Sequence, residues 1–104
     1  QVVHTLLEGV PDGLSLPEVG HAMAGVEGVR SVHDLHIWSL DSNRSALSAH
    51  VVLADAARWP TVLAAERALL RSRFGIEHAT LQPELPPAQP LVFTPRTPRA
   101  RDAG

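Results

Sequence analysis

Apolar residues recur at two different periods along this 104-residue chain. After a short apolar lead (residues 1–7) and a turn rich in glycine and proline (residues 8–13), Leu16, Val19, Met23 and Val26 follow at spacings of three and four, which is one face of a helix. Ser15 offers an N-cap, Pro17 falls in the first turn where its missing N–H costs nothing, and Glu18 stands three residues after Ser15 as in a capping box. These signals predict a helix over residues 17–25. The pattern then changes to β-branched and aromatic residues over 29–40 and 46–54, separated by the turn formers Asp41-Ser42-Asn43-Arg44-Ser45, which predicts a β-hairpin. Trp59-Pro60 opens a second helix, repeated at Val62, Leu63, Glu66, Leu69, Leu70 and Arg73 and stopped by Gly75. Residues 76–83 alternate again and predict a third strand, with Ile76, His78, Thr80 and Gln82 on one side.

The order helix, strand, strand, helix, strand predicts an α+β sandwich of ferredoxin-like kind, with two helices on one face of a three-stranded sheet. The opposite face is then uncovered, so it is expected to be partly polar or covered by a second copy. Residues 1–84 read as one domain and residues 85–104 as a Pro/Arg-rich irregular tail, because clustered prolines neither continue a helix nor donate to a ladder. Arg96, Arg99 and Arg101 in that tail offer phosphate contacts or a plain solvated end.

Composition narrows the chemistry. The chain has no cysteine, which removes disulfides and thiolate ligands together, and leaves metal binding and oligomerisation as the available staples for a small core. A net charge of −2 and a pI near 6.3 give no electrostatic footprint for nucleic acid. No run approaches the roughly 20 apolar residues of a membrane span, and no signal-peptide pattern is present. The chain starts at Gln1 and is apolar by Val2, which reads as a piece of something longer.

Three of the six histidines, His33, His36 and His50, fall within eighteen residues of the hairpin, close to Asp34. A turn centred on Asn43 sets Leu35 opposite Val51, Ile37 opposite Ala49, Trp38 opposite Ser48 and His36 opposite His50. Opposed imidazoles with Cβ atoms about 5 Å apart can converge on one Zn²⁺ at about 2.0–2.1 Å, with a carboxylate completing the set or orienting a ring. The plain alternative is that each is a hydrogen-bonded strand histidine. Residues three apart on a strand point to opposite faces, so either His33 or His36 serves with His50, unless a bulge intervenes. His78 reaches the same neighbourhood if the third strand borders the hairpin. His4 and His21 read as surface or packing residues, and Trp38 and Trp59 as packing anchors, with an exposed Trp38 becoming an interface residue. No phosphate loop, nucleophile elbow or His-Glu-x-x-His helix is present, so catalysis is not expected.

Leu7-Glu8-Gly9-Val10-Pro11, Gly28-Val29, the run from Val32-His33-Asp34-Leu35-His36 to Leu40, Leu47-Ser48-Ala49-His50-Val51 and the run from Phe74-Gly75 to Gln82 together resemble the cytoplasmic C-terminal domain of cation diffusion facilitator transporters of the cobalt-zinc-cadmium resistance type. The resemblance implies a metallochaperone-like αββαβ domain. It also implies a homodimer beneath a membrane domain that exchanges Zn²⁺ and related cations, Cd²⁺, Co²⁺ or Ni²⁺, for protons, placed on the cytoplasmic side of the cell membrane. It implies a regulatory metal site at His33, His50 and Glu84, with Glu77 or the adjacent His78 as a possible third-strand contribution. The register reading selects His36 and the resemblance selects His33; a single bulge reconciles them, and His33 takes precedence. The function expected is metal sensing and dimerisation for an efflux transporter, the alternative being a structural dimerisation module that binds no physiological metal.

Overall fold

A computed structural model of the chain describes residues 10–86. The apolar lead with His4 and most of the tail, including its arginines, lie outside the described residues. Helix α1 spans Leu16–Ala24, strand β1 Val29–Ser39 and strand β2 Ser45–Leu53; a 3₁₀ turn, Ala56–Arg58, leads into helix α2, Trp59–Phe74, and strand β3 is His78–Glu84. Both helices begin where the sequence signals place them. Ser15 caps α1 by accepting from the Glu18 backbone N–H at 3.2 Å. Gly75, at φ +70°, ends α2, where the Ile76 N–H returns to the Leu70 carbonyl at 2.9 Å.

The sheet order is β1-β2-β3, with β1 antiparallel and β3 parallel to β2. Leu47, Ala49, Val51 and Leu53 of β2 are buried against Leu16, Val19 and Met23 of α1 and Val62 and Leu70 of α2. Leu81 and Ala79 of β3 extend the same layer from the edge. Ile76, expected on the same side of the third strand as His78, Thr80 and Gln82, lies before β3 and is buried in this core. Among the described residues no helix is long and apolar enough to cross a membrane.

The hairpin register differs from the one a turn centred on Asn43 dictates. Near the turn Ile37 pairs with Leu47 and Trp38 with Ala46, while beyond it Val32 pairs with Val51 and His33 with His50. The pairing slips between His33 and His36 because β1 carries a bulge there, at Asp34 and Leu35. Asp34 has φ +53°, the one non-glycine positive φ among the described residues. Aspartate tolerates this left-handed region better than most side chains, though it still costs on the order of 1 kcal/mol. The extra residue resets strand parity: Val32 and Ile37 both face the core although they are five apart, and His33 and His36 both face the other side.

Gly28, before β1, has φ +96°, and a Cβ there would stand 3.0 Å from Val62 Cγ2. Gly28→Ala therefore combines backbone strain with overpacking and is expected to cost about 2 kcal/mol. A urea midpoint lowered at unchanged slope will show it; an unchanged midpoint would mean that Val62 gives way freely.

Candidate metal centre

The uncovered sheet face carries His33 and His36 from β1, His50 from β2 and His78, Thr80, Gln82 and Glu84 from β3. His33 and His50 are register partners, and their rings lie 5.0 Å apart between centroids at an interplanar angle of 56°. Gln82 is the β3 partner of His50, so Glu84 stands two residues further along the same face. Its carboxylate reaches back across β2: Oε1 accepts from His33 Nε2 at 2.8 Å and Oε2 from His50 Nδ1 at 2.5 Å. One ligand-type atom from each of His33, His50 and Glu84 lies within 4.8 Å of the other two. On the far side of the two rings, Asp34 Oδ2 stands 3.6 Å from His33 Nδ1 and 3.9 Å from His50 Nε2.

The hydrogen bond from His33, and after it the one from His50, hold the Glu84 carboxyl below the usual carboxylate range. A depressed carboxyl contributes stability above its unfolded value, here 4.5, and that contribution is lost as the pH falls through the lowered folded value. Two imidazole nitrogens and one carboxylate oxygen are a donor set suited to zinc and neighbouring borderline cations. They are already aimed at one another through bonds in which a cation replaces protons, so these residues fit an ion. Three protein ligands leave one tetrahedral position for water or a further side chain.

The structure thus brings together three of the four residues singled out from the sequence, His33, His50 and Glu84. It does not bring His78 to them. His78 pairs with Ala46, four residues along β2 from His50 and so about 13 Å away at roughly 3.3 Å per residue. Right face, wrong end of the strand is the reason. His36 shares the face but pairs with Ser48, one row nearer the turn, so the pairing of His36 with His50 expected from a turn centred on Asn43 is replaced by His33 with His50. His21 is exposed on α1, Trp59 packs against the core, and Trp38 is 40% exposed beside Ala46 on the open face. The signal for the bulge was present in the spacing of Val32, Leu35 and Ile37, three and then two, which no straight strand buries on one side.

Fold and site together define a small α+β domain that presents a two-histidine, one-carboxylate cluster on an open sheet face. Residues 11–85 match the family described as cation efflux protein, cytoplasmic domain, and the chain belongs to that family. It is 44% identical over 89 residues to the metal cation efflux system protein CzcD of Cupriavidus metallidurans, covering 84% of this chain and 28% of that protein. It is 40% identical over 83 residues to the probable proton-coupled zinc antiporter SLC30A3 of Bos taurus, covering 80% and 21%. With the cadmium, cobalt and zinc/H(+)-K(+) antiporter of Bacillus subtilis it shares 36% over 87 residues, covering 79% and 27%. The chain therefore spans about a quarter of the length of these relatives. Among solved structures, the metal-bound C-terminal domain of the C. metallidurans CzcD transporter superposes with a TM-score of 0.62 at 38% identity, covering 69% of this chain and all of that one.

Proposed function

We propose that this chain is the non-catalytic metal-sensing and dimerisation domain of a divalent cation efflux transporter, with Zn²⁺ the preferred ion and proton exchange carried by a membrane domain of the same protein. The observation that carries the reading is the convergence of His33, His50 and Glu84 from three separate strands on one open face. The cluster is incomplete by one ligand and lies on the face a second copy would cover, so occupancy and the arrangement of two subunits are coupled. The metal-bound state of the related CzcD domain supports the assignment, as do the cations in the names of the relatives.

Titration calorimetry with Zn²⁺ at pH 7.5 tests it. Heat accompanied by a change in sedimentation is expected. No heat at tens of micromolar Zn²⁺ would sink the sensor reading. Because ligation needs neutral imidazole, binding should weaken in acid. Cd²⁺, Co²⁺ and Ni²⁺ run in parallel rank the ions.

A second reading, a purely structural dimerisation module, is favoured by the exposed Trp38 and Leu40, at 40% and 46%, on β1 and just after it. A metal-free dimer that Trp38→Ala dissociates, with no response to any of the four ions, would select it.

A further inference from the structure

Each neutral imidazole carries one N–H and one lone pair on opposite nitrogens. Glu84 engages His33 Nε2 and His50 Nδ1 at hydrogen-bond length, so in the metal-free arrangement those nitrogens carry the protons. The remaining nitrogens, His33 Nδ1 and His50 Nε2, then point lone pairs at Asp34, and its carboxylate stands off at 3.6 and 3.9 Å, beyond hydrogen-bond length. Two carboxylates thus address the same two rings from opposite nitrogens. Only one of them is hydrogen-bonded.

His33 Nε2 and His50 Nδ1 can ligate an ion only as lone pairs. A neutral ring that gives up the proton facing Glu84 takes one up on its other nitrogen, with no net release, and that nitrogen faces Asp34. We propose that Asp34 is the positioning residue of the centre: it accepts the relocated N–H of His33 Nδ1, and secondarily that of His50 Nε2, and so holds both rings in the tautomers that ligate. His33 is the nearer ring. Its ligating form, Nδ1–H, is also the one a free imidazole side chain disfavours, so it depends on an acceptor more than His50 does. The inference rests on the metal-sensing reading for its consequence, though not for its geometry.

The backbone tolerates aspartate at this position but does not by itself call for a carboxylate. At φ +53° in a bulge glycine would be relaxed, whereas aspartate is strained, and the Asp34 side chain makes no hydrogen bond among the described residues. The Asp34 carboxylate stands over two ligand-type rings, within reach of the nitrogen of each that faces away from Glu84. Outer-shell carboxylates of this kind commonly change metal affinity by about 10- to 100-fold.

The test uses the 104-residue chain and its Asp34→Gly and Asp34→Asn variants. Imidazole ¹⁵N shifts at pH 8 are recorded before and after Zn²⁺. In the parent chain His33 is expected to exchange Nε2–H for Nδ1–H with ligation through Nε2, and His50 to ligate through Nδ1. Asp34→Gly is expected to melt no lower than the parent, since glycine relieves the backbone, yet to bind Zn²⁺ about 10- to 100-fold more weakly. Asp34→Asn, which keeps a weaker carbonyl acceptor, should fall between. Parent-like Zn²⁺ affinity in Asp34→Gly, or ligation of His33 through Nδ1, overturns the assignment. If the parent takes up no Zn²⁺, the functional reading fails separately. Cd²⁺, a second ion for the same nitrogens, then decides on Asp34: the His33 exchange to Nδ1–H sustains the assignment and its absence overturns it.

Discussion

Replacing Glu66 by methionine is expected to stabilise the domain by about 3 kcal/mol at pH 7, raising its melting temperature on the order of 10 °C or more. Glu66 lies on the inner face of α2 between Val62 and Leu70, fully buried, and neither carboxylate oxygen has a hydrogen-bond partner among the described residues. Burial pushes its carboxyl up from 4.5 to about 8. The folded domain therefore holds a proton that the unfolded chain releases. The Glu66 contribution to stability is greatest below about 4.5, falls by about 1.4 kcal/mol per pH unit between there and about 8, and is level above. Methionine keeps the unbranched reach and removes the ionisation. Glu66→Met should accordingly match the parent near pH 4, where other carboxyls dominate, and diverge from it up to pH 8. Denaturant melts at pH 4, 6 and 8 measure this. Parallel curves for parent and variant would mean that the carboxylate is solvated or paired after all.

Loss of the metal response in His33→Ala/His50→Ala is the other large effect. If free Zn²⁺ stands about 100-fold above the dissociation constant, binding stabilises the parent by about 2.7 kcal/mol, a shift of roughly 10 °C for a domain of this size. The double variant keeps one of three protein ligands and should show no shift. His78→Ala should keep all of it, because His78 sits at the opposite end of β3 from Glu84. Thermal melts with and without Zn²⁺ read both together. A double variant that still binds with parent stoichiometry, or a His78→Ala that does not bind, would place the centre elsewhere.

The elements were legible in the sequence to within a residue or two because their start and stop signals are local. Ser15, Pro17 and Glu18 open α1, and Gly75 closes α2, by chemistry contained in a few consecutive residues. The layer order followed from alternation and from the apolar positions of both helices. What local chemistry does not contain is a strand's registration against its neighbour. Counting outward from Asn43 misplaces the turn, which is centred on Ser42 and so moves His36 from His50 to Ser48; the extra residue at the Asp34 bulge then shifts the pairing once more and sets His33 opposite His50. His78 stands apart from the cluster for a related reason: alternation fixes its face, whereas its distance along the strand depends on where the parallel β3 starts relative to β2. Glu66 shows the opposite limit. Helical spacing placed it beside Val62 and Leu70, and only the packed core reveals that no polar partner meets it.

The contact between His33 and Glu84 joins positions 51 residues apart in sequence. β3, the last strand, is held in the sheet by β2 alone, through a parallel pairing that follows a whole intervening helix. An ion gripped by residues from all three strands would act in this cysteine-free chain as a reversible cross-link, and the entropy of closing so long a loop would be removed from the unfolded ensemble while the ion stays bound. Detachment of β3 would then release the ion, so the rate at which this edge strand peels away would set a ceiling on how long such an ion stays bound.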